Sequence, residues 1–66
     1  MRVKEDKEYQ FDNYIVKAYY NEVEGGYSCY LYDENELFKV VSTTYKTRPE
    51  RIARQVLVAE TWARDL

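Results

Sequence analysis

Residues 14–32, YIVKAYYNEVEGGYSCYLY, decide the fold of this 66-residue chain. Two runs of alternating side chains flank a polar segment that ends in Gly25-Gly26. Alternation with a period of two is typical of a half-buried strand, and glycine accepts the positive φ angles that hairpin loops need. The stretch therefore predicts an antiparallel hairpin of two strands, over residues 14–21 and 27–33.

Residues 37–45 alternate as a third strand, which the acidic turn of residues 33–36 joins to the second. Short connections between successive strands imply an antiparallel meander. The predicted fold class is α+β, a three-stranded antiparallel meander with one C-terminal helix packed on one face, in the order βββα. This single domain covers residues 11–66. Residues 1–10 are expected to be a flexible or frayed lead-in, with a short strand or helical turn as the alternative.

The clearest element is the C-terminal helix, predicted over residues 48–65. Thr47 and Glu50 have the spacing of a capping box, and Pro49 suits the first turn, where its missing N–H costs nothing. The meander would bring the helix C-terminus to the acidic turn, so Arg64 is expected to pair there. The apolar stripe repeats at spacings of four and three residues: Ile52, Val56, Ala59, Ala63 and Leu66.

Two lysines indicate which face of the sheet meets water. Lys17 and Lys39 are assigned to an open face, which leaves the alternate positions beneath the helix. A bulge in the third strand would reassign Leu37 and Val41. The predicted core side of the sheet comprises Val16, Ala18, Cys29, Leu31, Phe38 and Val40, together with Tyr14 and Tyr20.

Composition excludes several classes of protein. The chain has one cysteine and no histidine, so neither an intrachain disulfide nor a zinc site is expected. A net charge of −2 gives no strong attraction to nucleic acid or to an anionic membrane. No apolar stretch approaches the ~18 residues of a membrane span, and the charged N-terminus is not expected to be a signal peptide. The lone thiol suits a reducing cytoplasm. No metal, cofactor or catalytic constellation is expected, so an enzyme is disfavoured.

The open face of the sheet is the first candidate site. Tyrosines and lysines alternate there, a composition found in protein interfaces but also in ordinary solvent-facing strands. A third interpretation is a stacking platform for single-stranded nucleic acid, which would use Lys17 and Lys39 with Arg48 and Arg51 at the helix start. The predicted partner-binding residues of this face are Lys17, Tyr19, Tyr30, Tyr32 and Lys39.

The helix flank is the second candidate. Val58 and Trp62 stand four residues apart, outside the Ile52 stripe, and an exposed tryptophan is typical of an interface hot spot. The alternative is that Trp62 folds back over the sheet edge and covers a tyrosine or Phe38.

Residues 30–47 resemble the short repeat of YegP-like proteins, a small bacterial domain without a settled activity. Leu31, Asn35, Ser42 and Tyr45 stand at matching positions, although the family usually has Asn-Gly where Asn35 precedes glutamate here. The order of elements is also similar to the antitoxin domain of HicB-type systems, in topology alone. These resemblances imply a fold and supply no functional residues.

We therefore expect a small non-enzymatic protein-binding module of the cytoplasm, acting through the sheet face or the helix flank. Modules of this kind include regulators and inhibitors, some of them phage-encoded. The expected partner is another protein or a second copy in a homodimer, because a chain this short buries little surface alone. A single-stranded nucleic-acid binder and a structural subunit of a larger assembly are the alternatives.

Overall fold

The computed structural model describes residues 7–65. Four strands form one antiparallel sheet in the order β1-β2-β3-β4, and a single helix follows. The class is α+β with a meander, as the sequence predicts, but the sheet has four strands and the prediction of three was wrong. The elements are β1 (Lys7–Phe11), β2 (Tyr14–Asn21), β3 (Gly26–Asp33), β4 (Glu36–Ser42) and α1 (Pro49–Asp65).

Strand β1 covers residues 7–10 of the segment that was expected to be a frayed lead-in, with a short strand as the alternative. It pairs with β2 across a two-residue turn, with Phe11 opposite Tyr14 and Tyr9 opposite Val16. Tyr9 and Phe11 both pack against the core, and their rings stack on each other at 6.4 Å. Residues 7–10 therefore belong to the folded domain, whereas the rest of the predicted lead-in lies outside the described residues.

The core lies between the sheet and α1, which packs over β1, β2 and β3. The sheet contributes Val16, Ala18, Cys29 and Leu31, all without exposed surface, as predicted. Tyr14 also packs there, and Tyr20 lies on the same side, opposite Tyr27. Small aliphatic side chains at the centre let the helix approach closely, and tyrosines fill the space at both ends of the sheet.

A bulge in the β3–β4 pairing changes the predicted facing of β4. The register shifts beside Leu31, so that Lys39 lies opposite Leu31 and Val40 opposite Tyr30. Val40 therefore faces away from the helix and is 48% exposed, which corrects its assignment to the core. Val41 takes the inner position, while Phe38 packs against the core as expected.

The buried face of α1 differs from the predicted stripe. Ile52 and Val56 are buried as expected, but the other buried residues are Ala53 and Leu57. The predicted stripe members Ala59 and Ala63 are exposed, and Leu66 lies outside the described residues. Leu57 is a larger apolar side chain than either alanine, so rotating the helix toward it buries more apolar area.

Both ends of α1 are held by simple contacts. Pro49 is the first helical residue, and the Arg48 carbonyl accepts the first intrahelical hydrogen bond, from the Ile52 amide at 3.1 Å. No hydrogen bond joins Thr47 to Glu50 within the described chain, so the predicted capping box does not form. At the other end Arg64 Nη1 donates to Asp33 Oδ2 at 3.1 Å, which confirms the predicted pairing with the acidic turn.

Candidate protein-binding surfaces

The open face, on the side of the sheet away from α1, is ordered in three cross-strand rows. The strand registers place Glu8, Lys17, Tyr30 and Val40 side by side in the middle row. The two flanking rows are Gln10, Ile15, Tyr32 and Leu37 toward the acidic turn, and Tyr19, Ser28 and Ser42 toward the glycine loop.

Neighbouring side chains hold the tyrosines of the open face in place. Tyr19 and Tyr30 meet edge to face with ring centroids 5.3 Å apart. The Lys17 ammonium lies 4.9 Å from the centre of the Tyr32 ring. All three tyrosines are partly buried although no second layer formed by residues 7–65 covers them. An incoming partner would therefore meet rings whose rotamer freedom is already reduced.

Lys39 does not lie on the open face, which corrects its predicted place beside Lys17. It points to the helix side, where its ammonium is 3.8 Å from Glu60. The bulge causes this change, because it reverses the facing of every β4 residue that follows it. The open face keeps Lys17 as its one lysine among the described residues, so the cation set of the nucleic-acid alternative is not brought together there.

The remaining residues of that alternative lie at the start of α1, in the other layer of the molecule. Arg48 and Arg51 are exposed beside a shallow depression that Arg54 and Gln55 also line. Arg54 contacts Glu50 at 3.5 Å, and its guanidinium lies 5.1 Å from the Phe11 ring centre. These arginines therefore form a surface separate from the tyrosines.

The helix flank forms a second apolar surface. Val58 is 58% exposed and Trp62 is 73% exposed. The predicted alternative in which Trp62 covers Phe38 is therefore wrong. Instead, the Phe38 ring is covered by the Arg64 guanidinium, 4.3 Å from its centre, and meets Tyr14 edge to face at 6.3 Å. Beside this flank a groove runs between α1 and the segment after β4, lined by Val41, Tyr45, Val56, Ala59 and Trp62.

Several members of these surfaces were missed in the sequence. Ile15, Leu37 and Val40 complete the open face, and Leu37 and Val40 are each about half exposed, at 47% and 48%. The bulge hides the position of Val40, but the alternation of β2 already places Ile15 beside Lys17 and Tyr19. Tyr45 is 62% exposed and lines the groove, and no sequence motif indicated this position.

Cys29 lies beneath the helix and is the only cysteine of the chain. Burial raises the pKa of its thiol, because the thiolate would lose its solvation. The side chain is thus kept in its unreactive protonated form, as predicted from its position.

No family model, curated protein or solved structure matches this chain. The resemblance of residues 30–47 to YegP-like proteins consequently stays a prediction. Over residues 7–65 the structure contains no helix long and apolar enough to cross a membrane, and no group of three or more potential metal ligands.

Proposed function

We propose that the chain is a non-enzymatic protein-binding module whose working surface is the open face of the sheet. The observation that carries the proposal is the order of the rings on that face, where Tyr19 packs on Tyr30 and Lys17 on Tyr32. Tyrosine offers a large contact area at low entropic cost, and rings that are already restrained lose less freedom on binding.

The charge of the open face also supports a protein partner. Glu8 and Lys17 are cross-strand neighbours, so the middle row carries one anion beside one cation. Ile15 and Tyr19 flank Lys17 along β2, and Tyr30 and Val40 continue the row beyond it. A face with little net charge and a central group of aromatic residues has the composition of an interface core.

A module of this kind would act as a regulator or inhibitor by occupying a surface of its partner. We place it in the cytoplasm, because a single buried thiol suits a compartment in which disulfides do not form. The helix flank of Val58 and Trp62 is the second surface on which a partner could dock.

The test compares two tyrosines that lie on different surfaces. Tyr30→Ala removes a ring from the centre of the open face, and Tyr45→Ala removes an exposed ring from the groove beside α1. In an affinity pull-down from the native host, we expect Tyr30→Ala to lose the captured partner and Tyr45→Ala to retain it. If Tyr30→Ala retained the partner and Trp62→Ala lost it, the binding surface would instead be the helix flank.

Nucleic acid is excluded or supported by a parallel titration. A binder that neutralises phosphates shows affinity that falls steeply with salt. Because Lys39 does not lie on the open face, we expect no change in the electrophoretic mobility of a labelled single-stranded RNA or DNA, even at low salt. A shift that disappears in Tyr30→Ala would contradict the proposal and favour the stacking-platform interpretation.

A further inference from the structure

The open face has the size of a protein interface. Four strands about 4.8 Å apart and up to eight residues long at about 3.3 Å each give a surface of roughly 19 by 26 Å, or about 500 Å² in projection. Side-chain relief makes the accessible area larger than the projected area. A standard interface buries about 800 Å² on each partner. Two such sheets would together bury roughly 1,000 Å² or more, the lower end of specific interfaces, so a second sheet laid on this face would form a small dimer in equilibrium with the monomer.

Charge is distributed unevenly along the molecule, whose longest dimension is 40 Å. At the end that holds the β1–β2 and β3–β4 turns, Arg64 is the one cation among five carboxylates of the described chain. These carboxylates are Asp12, Asp33, Glu34, Glu36 and Asp65.

The opposite end, around the glycine loop and the start of α1, is balanced. There Lys46, Arg48 and Arg51 stand with Glu22, Glu24 and Glu50. Two copies aligned in parallel would bring their acidic ends together, and like charges placed side by side across an interface repel each other. Two antiparallel copies bring each acidic end to a balanced end and avoid this repulsion.

From the area and the charge we infer that the open face docks on the open face of a second copy. The strands of the two copies run antiparallel. The two-fold axis that relates the copies lies in the interface plane, perpendicular to the strands. The inference rests on the proposed function and names its partner. Face-to-face sheets pack about 10 Å apart with interdigitating side chains. The helices then lie on the two outer surfaces of the dimer.

Side-chain sizes fit the antiparallel arrangement. The axis passes near the middle row, so Tyr30 and Val40 lie near their own copies. Glu8 of the same row also approaches its copy, but it is exposed on the edge strand β1, where water and salt screen its charge. The bulky row of Tyr32 and Leu37 then faces the small side chains of Ser28 and Ser42 in the second copy, and the reverse holds across the axis. Lys17 leans over Tyr32 and away from the middle row, which separates the two ammonium groups.

The first experiment measures association across a wide concentration range by sedimentation velocity. We expect a monomer–dimer equilibrium that weakens at least tenfold in Tyr30→Ala and is unchanged in Tyr45→Ala, which retains the open face. Circular dichroism and thermal melting of both variants keep loss of folding distinct from loss of docking. A dimer that persists in Tyr30→Ala and is lost in Trp62→Ala would overturn the inference, because the helix flank would then be the dimer interface.

The second experiment measures orientation. Val23 is 94% exposed in the β2–β3 loop, so Val23→Cys accepts a spin label while Cys29 stays buried. Labelled unsubstituted protein measures any background from Cys29. In the antiparallel dimer the two labels lie at opposite ends, separated by a distance comparable to the 40 Å length of one copy. A separation below half that length would show parallel copies and overturn the inference.

The outcomes separate this inference from the proposed function. Suppose that the chain stays monomeric at high micromolar concentration and that Tyr30→Ala still loses a partner captured from the host. The inference of a homodimer is then wrong, whereas the proposal that the open face binds a protein still holds. If the antiparallel dimer forms through the open face and no other protein depends on that face, self-association is the use of the surface.

Discussion

The two faces of the sheet bury their side chains in different ways. On the covered face Val16, Ala18, Cys29 and Leu31 lose all exposure beneath α1. On the open face the rings pack on one another and on Lys17, and nothing in the described part of the chain forms a layer above them. The covered face thus supplies most of the free energy of folding, whereas the open face keeps apolar area that a partner can still bury. Removing side chains from each face should separate the two roles.

The largest effect is expected for Leu31→Ala on the covered face. The change removes a fully buried side chain and leaves a cavity under α1, at a cost of about 3 kcal/mol. A chain of this length has a free energy of unfolding of roughly 3 to 10 kcal/mol, so much of the population would unfold. Urea denaturation followed by circular dichroism measures this loss.

Leu37→Ala is the matched control for that variant, because Leu37 is on the open face and 47% exposed. The same truncation should cost less than about 1 kcal/mol there. Equal losses of unfolding free energy at the two leucines would show that Leu37 is also buried in solution. The dimer would then have to account for that burial.

The second effect tests how closely two backbone segments pack at the glycine-loop end of the sheet. A Cβ on Gly26 would lie 1.9 Å from the Thr43 carbonyl oxygen, a backbone atom that cannot rotate away. Gly26→Ala should therefore push apart β3 and the segment that leads to α1, at a cost of about 1–3 kcal/mol.

Gly25→Asn is the control in the same loop. Gly25 has φ +72, which asparagine tolerates, and its nearest neighbour is the flexible Lys46 side chain at 3.4 Å. We expect a cost of a few tenths of a kcal/mol, read from the same urea curves. If Gly26→Ala were the milder of the two, backbone conformation rather than close contact would govern this loop.

The third change stabilises the sheet without altering either face. Glu34 and Asn35 form the β3–β4 turn with φ 52 and φ 71, and the positive angle at glutamate is unfavourable. Asn-Gly is the preferred pair for a two-residue hairpin loop of this kind. The double change Glu34→Asn with Asn35→Gly should raise the free energy of unfolding by about 1 kcal/mol. A fall in melting temperature would mean that Glu34 makes a compensating interaction.

The same faces show how far the sequence alone predicts this molecule. The hairpin of β2 and β3 was predicted because its two-residue period is clear and its loop has glycines. Strand β1 was only the alternative to a frayed lead-in because charged residues precede Tyr9 and hide the period, although the Asp12-Asn13 pair is a turn signal. The tertiary contact with the β2 edge, rather than local propensity, makes this segment a strand.

The errors at the candidate site have two physical causes. A bulge in the pairing with β3 depends on both strands, so β4 read alone placed Lys39 on the open face and Val40 inside. The rotation of α1 about its axis depends on which apolar side chains bury more area. The sequence offers two choices beside Ile52 and Val56, the alanines of the predicted stripe or Leu57, and the structure buries Leu57. The tyrosines of β2 and β3 were placed correctly because no bulge interrupts their register.

Only a modest effect on folding is expected for Tyr30→Ala, and this variant decides whether the comparison holds. The change removes the edge-to-face contact with Tyr19, which is worth about 0.5–1.5 kcal/mol beyond area burial. Part of that loss is offset, because Tyr19 regains rotamer freedom at a surface open to water. We expect a net cost near 1 kcal/mol in a dilute monomer, well below that of Leu31→Ala, together with the loss of association. If Tyr30→Ala destabilises the dilute protein as much as Leu31→Ala does, its ring belongs to a second core, and the open face holds the fold rather than a partner.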